Sequence, residues 1–179
     1  MNPERPAVGR TTSFAILLGI AALVLICDQL TKAWVVSGLP EGSWWSPLPG
    51  QAWRVLRFTH TTNSGAAFGI FPNQGSFFML VAVIVVIAIL IYYRNLPTGN
   101  WLMRLSLGLQ LGGAVGNLID RVRYGYVIDF IDIGFWPIFN LADASIVIGV
   151  ALLAYSLWRA ERQPQSGGRP ERGRQAEEG

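Results

Sequence analysis

Phe77-Phe-Met-Leu-Val-Ala-Val-Ile-Val-Val-Ile-Ala-Ile-Leu-Ile-Tyr-Tyr93 runs for seventeen residues without a charge or a proline. A helix on the surface of a soluble protein carries a polar stripe along one side, and this run is apolar all the way round. About 20 helical residues, within a range of roughly 17 to 25, cross the hydrocarbon core of a bilayer. With a few flanking residues the run therefore reads as a membrane helix. Three more stretches join it. Phe14 to Cys27 is uncharged and continues into the more polar Asp28 to Val36, and Leu105 to Ile119 and Leu141 to Trp158 complete the set. Any one of them could be the buried helix of a soluble bundle; four together, each borrowing flanking residues, argue for a membrane.

Composition agrees. Of the 179 residues, 51% are hydrophobic and only 14% charged, where a soluble domain carries roughly 25% charged residues. Seven Trp and 20 Gly fit the enrichment of Trp at membrane interfaces and of Gly in membrane helices. Disorder across the chain and a disulfide scaffold are excluded, since Cys27 is the single cysteine. No nucleic-acid partner is expected, because the net charge of +3 comes from scattered arginines and forms no basic patch. A cleavable signal peptide would need a small-residue site after the first run. None follows, and Ile26 stands before Cys27, where lipoprotein-type cleavage would want a small residue.

Lys and Arg beside the helices set the expected orientation. With both termini in the cytoplasm, that side collects Arg5, Arg10, Arg94, Arg104, Arg159, Arg162, Arg169, Arg172 and Arg174, nine of the fourteen basic residues. The expected architecture is an all-α membrane protein with four transmembrane helices near 14–36, 77–93, 102–120 and 140–158. A cytoplasmic N-terminus, 1–13, precedes them. The link from Arg94 to Trp101 is a short turn carrying Asn95, Pro97 and Gly99. The outer loop, 37–76, is rich in Gly, Pro and Trp and alternates around Trp53, Val55 and Phe58, which predicts short β-structure. Trp44, Trp45 and Trp53 have two readings of equal weight, at the lipid headgroups or folded on one another. The tail, 159–179, reads as a disordered cytoplasmic extension.

In such a chain, ionisable residues in or beside the helices are the place to look for function. Asp28 and Lys32 lie four apart and can pair. Asn117, Asp120 and Arg121 close the third helix, Asp129 and Asp132 fall in the short outer connection, and Asn140 and Asp143 open the fourth helix. The third helix is expected to run outward and the fourth inward, so these groups gather at the outer interface. Each has a bland alternative: an interfacial ion pair for Asp28 and Lys32, a structural Asp120 beside Arg121, a solvated Asp132, or a helix N-terminal acid for Asp143. His60 is the one histidine and Lys32 the one lysine, and no His or Cys cluster has the spacing of a zinc site. Carboxylates are what remain plentiful. Two close together can share a proton, one taking a proton from water while the other donates to the departing group. The residues do not themselves say which two. Gly108, Gly112 and Gly116, four apart, predict close packing of the third helix on a neighbour.

Asp28-Gln-Leu-Thr-Lys32, Asn63-Ser-Gly-Ala-Ala-Phe-Gly69, Gly112-Gly-Ala-Val-Gly-Asn-Leu-Ile-Asp-Arg121, Val127-Ile-Asp-Phe130 and Phe139-Asn-Leu-Ala-Asp143 resemble, in order, the motifs of lipoprotein signal peptidase, the type II signal peptidase of bacteria. The resemblance covers residues from about 14 to 158. It implies an aspartyl endopeptidase of the bacterial inner membrane that removes signal peptides from diacylglyceryl-modified prolipoproteins, cutting just before the lipidated cysteine. The catalytic pair would be Asp129 and Asp143. Asn63, Asn117, Arg121 and Asn140 would bind substrate or orient the pair, and Asp28, Lys32 and Asp120 would support the site structurally. The outer loop would form a lid or cradle. No metal or organic cofactor is implied; the partners are prolipoprotein substrates and membrane lipids, and the enzyme is expected to be a monomer. A transporter would instead place its charges near the membrane midplane, and a scaffold would tolerate replacement of Asp129.

Overall fold

The computed structural model describes residues 9–65, 74–94 and 100–162. The expected turn at Asn95, Pro97 and Gly99, the second half of the Asn63–Gly69 motif and the tail beyond Arg162 lie outside the described residues.

Four long helices form where the apolar runs lie: α1 (Arg10–Gly38), α2 (Gly75–Arg94), α3 (Trp101–Tyr124) and α4 (Leu141–Glu161). Three of them, α1, α2 and α4, are individually long and apolar enough to cross a membrane. Their outward faces are apolar, with Leu23, Leu30 and Val147 each more than 60% exposed, as a chain bathed in lipid requires. Helix α3 carries Arg104, Gln110, Asn117, Asp120, Arg121 and Arg123, and it is the most enclosed of the four, packed against each of the others. Because its neighbours bury Arg104, Ser106, Asn117 and Asp120, those positions can be polar without meeting lipid; Arg123, near its end, is exposed.

The helices outrun their expected bounds for local reasons. Helix α1 begins at Arg10 because its first turn is held: the Arg104 guanidinium donates to the buried Ser13 hydroxyl at 2.7 Å. Helix α3 continues to Tyr124, with Arg121 and Arg123 in its last turn, where cations suit the helix dipole. Gly125, at φ 81°, then stops it in the left-handed conformation that glycine adopts freely.

The glycine stripe packs as expected and has a counterpart. A Cβ added at Gly108 would strike Ile20, at Gly112 it would lie 2.6 Å from the Ala21 carbonyl oxygen, and at Gly116 it would meet Asp28. These three residues bring α3 against α1. Gly113, one position on, faces the other way, onto the Ala142 carbonyl and Ile146 of α4, and Gly149 of α4 returns the contact onto Ser106 and Gln110. Without a hydrophobic driving force in lipid, close approach of small residues is a main source of helix association. Leu17, Ile89, Tyr93, Leu107 and Leu111 fill the space between α1, α2 and α3.

A three-stranded antiparallel sheet caps one end, in the order β1 (Trp44–Trp45), β2 (Arg57–Asn63), β3 (Val127–Asp132). The outer loop holds the expected short β-structure in β1 and β2, with Trp53 in a short 3-10 turn, Gly50–Arg54, ahead of the strand that begins at Arg57. The outer connection holding Asp129 and Asp132 adds the third strand, paired with β2 through Thr61↔Asp129 and Asn63↔Val127. A one-residue bulge in β2 between Phe58 and Thr61 sets that register. The tryptophans fold on one another: Trp44 stacks on Trp53 at 5.2 Å, and Trp34 of α1 meets Trp45 and Phe58 edge-on. Phe58 continues the cluster to Phe130, tying the sheet to the end of α1.

Gly113→Ala places a methyl group against the Ala142 backbone and should destabilise the bundle by roughly 1–3 kcal/mol. Gly38→Ala, which meets open space, should be neutral. Thermal unfolding of the two purified variants in detergent checks this.

Candidate active site

The polar residues singled out in the sequence converge where α1, α3, α4 and β3 meet. At the centre is the Lys32 ammonium, buried with its two carboxylate partners. It lies 2.8 Å from Asp28 Oδ2, one helical turn back, and 2.7 Å from Asp120 Oδ2 on α3, and it donates to Asn117 Oδ1 at 3.1 Å. An ammonium has three N–H donors, so all three are used. The expected Asp28–Lys32 pair is present, as part of a buried cluster that includes Asp120 and Asn117. Asp120 turns to Lys32 rather than to its neighbour Arg121.

Each of these two carboxylates also grips backbone. Asp28 Oδ1 accepts the Ala142 N–H at 3.0 Å, and Asp120 Oδ2 accepts the Ile128 N–H at 3.3 Å. Ala142 and Ile128 immediately precede Asp143 and Asp129. The Gln29 amide, donating to Asp120 Oδ1 at 2.9 Å, completes the cluster. Gln29 was not singled out from the sequence, although it sits inside the first motif.

Asparagines carry the network to Asp129 and Asp143. Asn140 is the N-cap of α4: its Oδ1 accepts the Asp143 N–H at 2.9 Å, and Asp143 returns a longer contact from the Asn140 N–H, forming a capping box. The Nδ2 of the same side chain donates to Asp129 Oδ1 at 2.7 Å and to Asn117 Oδ1 at 3.2 Å. Asn117 Nδ2 donates to Asp143 Oδ1 at 2.7 Å. From β2, Asn63 Nδ2 donates to Asp129 Oδ2 at 2.8 Å, while its own Oδ1 accepts the Gly65 N–H. Both oxygens of Asp129 are thus held by amides.

Asp129, 2% exposed, has its carboxyl pushed up to about 7, first by burial and then by the charge of Asp143; the bonds from Asn63 and Asn140 oppose the rise. Arg121 reaches the edge of the site. It donates to the Asn117 carbonyl and lies over the Phe78 ring of α2 at 5.6 Å, and its Nε is buried with no hydrogen-bond partner among the described residues. Asp132 stands apart, bound to Arg57 at 2.6 Å, and that guanidinium lies over both Trp44 and Trp53. His60 is held at Nδ1 by the Leu39 carbonyl, 2.8 Å away. Among the described residues no group of three or more His, Cys, Asp or Glu side chains is arranged to hold a metal.

Two solved structures share this arrangement of helices and sheet, and both are bacterial membrane enzymes determined by the in meso method. The one at 2.3 Å resolution superposes with a TM-score of 0.77 at 33% identity, over 88% of this chain and 94% of that one. The one at 1.9 Å gives 0.70 at 36% identity, over 82% and 92%. The family model for signal peptidase (SPase) II matches residues 20–159, and the chain belongs to that family. The lipoprotein signal peptidase of Moorella thermoacetica is 48% identical over 139 residues, covering 77% of this chain and 89% of that protein. The lipoprotein signal peptidase of Halothermothrix orenii is 43% identical over 143 residues, 80% of this chain and 95% of that protein.

The folded protein keeps the Asp129 proton up to about pH 7, while the unfolded carboxyl releases it near 3.8. Stability should therefore fall as pH rises through that interval. Thermal unfolding across it should show this slope in the wild type and lose it in Asp129→Asn.

Proposed function

We propose that this protein is a membrane-embedded aspartyl endopeptidase that cleaves the signal peptide from diacylglyceryl-modified prolipoproteins just before the lipidated cysteine, with Asp129 and Asp143 as the catalytic pair. The observation that carries the assignment is the pair of linked amides between the two carboxyl groups: Asn140 Nδ2 donates to Asp129 Oδ1 and to Asn117 Oδ1, and Asn117 Nδ2 donates to Asp143 Oδ1. Family membership supplies the substrate class.

Asp129, with its raised carboxyl, carries the proton the pair shares. Asp143, in the first turn of α4 with its Oδ1 held by the Asn117 amide, acts in this mechanism as the ionised partner. Asp143 takes a proton from water as the oxygen attacks the scissile carbonyl, and Asp129 donates its proton to that carbonyl's oxygen. Collapse of the tetrahedral intermediate returns a proton to the departing amine, and the shared proton is restored. Asn63, Asn117 and Asn140 fix the directions of the carboxyl oxygens. Arg121, at the edge of the site, binds the substrate backbone in this reading; its Nε has no hydrogen-bond partner among the described residues.

In this reading all four helices cross the bilayer, with α3 packed against each of the others and both termini in the cytoplasm. The site then lies at the outer face of the inner membrane. There the lipid anchor of the substrate cysteine holds the scissile bond at the depth of the pair. The enzyme works as a monomer without a metal or organic cofactor.

Purified protein in detergent or liposomes should cleave a diacylglyceryl prolipoprotein, and Asp129→Asn or Asp143→Asn should each lower kcat by about 10²–10⁴-fold. Normal turnover by either variant would sink the assignment. The rate should decline above about pH 7 as Asp129 loses its proton. Activity should survive a strong chelator; inhibition by EDTA that zinc reverses would contradict the cofactor-free mechanism.

A further inference from the structure

We propose, resting on the catalytic pair just assigned, that Lys32 is a positioning residue of the reaction: by claiming the Asn117 carbonyl oxygen, it turns the Asn117 amide donor onto Asp143. Nothing in the mechanism above uses this ammonium. A buried cation between two carboxylates could serve stability alone, but the third contact points further.

Asn117 can sit either way round in its cavity only if its neighbours tolerate both. Its Oδ1 receives two donors, Lys32 Nζ at 3.1 Å and Asn140 Nδ2 at 3.2 Å, and its Nδ2 faces Asp143 Oδ1 at 2.7 Å. The ammonium has donors only, and an asparagine amide has one accepting end and one donating end. Flipping Asn117 would set its NH2 against two donors and its oxygen against a carboxylate. Lys32 therefore fixes one orientation, and Asp143 keeps a donor on Oδ1.

The orientation propagates. Asn140 donates to the same Asn117 oxygen and to Asp129, so a rotated Asn117 would also disturb the amide that holds the second aspartate. Two further arms leave the ammonium through Asp28 and Asp120 to the N–H groups of Ala142 and Ile128. These bear on the backbone just ahead of each catalytic residue. A misplacement of about 1 Å at a reacting group can cost 10²-fold in rate.

The test is a double-mutant cycle with kinetics and a spectroscopic reading. Lys32→Met and Asn117→Leu should each lower kcat roughly 10²-fold with KM little changed, and the double variant should lose clearly less than the product of the two single losses. Multiplying losses would mean that Lys32 acts independently of Asn117 and would overturn the proposal. So would a Lys32→Met protein that unfolds more easily yet turns over normally when folded. Where Lys32→Met does not fold, its combination with Asp28→Asn and Asp120→Asn leaves no unpaired buried charge and serves in its place.

In protein labelled with 15N-asparagine, the Asn117 side-chain signal is assigned by its loss in Asn117→Leu. It should be protected from exchange, should move in Asp143→Asn, and should lose protection in the Lys32 variant. An Asn117 signal unchanged by loss of Lys32 overturns the proposal whether or not the wild type cleaves lipoprotein. The expected change in a wild type that cleaves nothing would instead overturn the functional reading and leave the positioning intact.

Discussion

The contact between the Lys32 ammonium and the carboxylates of Asp28 and Asp120 governs how α1, α3, α4 and β3 meet. Two anions and one cation leave a buried excess of one negative charge, which is tolerable only because other donors are present: the N–H groups of Ala142 and Ile128 and the Gln29 amide. Buried ion pairs are weak evidence of net stabilisation, yet removing one partner typically costs about 3–5 kcal/mol. The cluster therefore acts less as a source of stability than as a constraint. With Lys32 in place, the observed docking of α4 and β3 gives the carboxylates of Asp28 and Asp120 the backbone donors they need.

That constraint explains how a membrane protein accommodates α3. Asparagine, aspartate and arginine would be costly in contact with lipid, and here Arg104, Asn117 and Asp120 are buried among the neighbouring elements. Gly108, Gly112 and Gly116 on one face and Gly113 on the next let α1 and α4 approach closely. The aromatic cluster of Trp34, Trp45, Phe58 and Phe130 seats the sheet on the end of the bundle. It does so in the register that brings Asn63 to Asp129.

The features legible in the sequence are those that obey a local period. Unbroken apolar runs mark α1, α2 and α4, the four-residue glycine spacing marks a packing face, and Asp28 and Lys32 four apart mark a pair. Contacts between elements are another matter. Nothing in the spacing of Lys32 and Asp120, 88 positions apart, says that they touch, or that Asp132 belongs to Arg57. The strand β3 reads as a connection because its six residues form a strand only by pairing with β2 across a bulge. Asn140 and Asp143 read as a helix start, which they are; that the same asparagine also holds Asp129 depends on tertiary packing. The motif resemblance supplied the names of the pair, and the geometry supplies the reason why each has the neighbours it has.

The central claim is that Asp129 and Asp143 share one proton, resident on Asp129. Infrared difference spectroscopy of the purified protein across neutral pH reads it directly. The account predicts one buried carboxylic acid band that titrates near pH 7 and disappears in Asp129→Asn. A spectrum with no carboxylic acid titrating near neutrality, or a band that survives in Asp129→Asn, would contradict it.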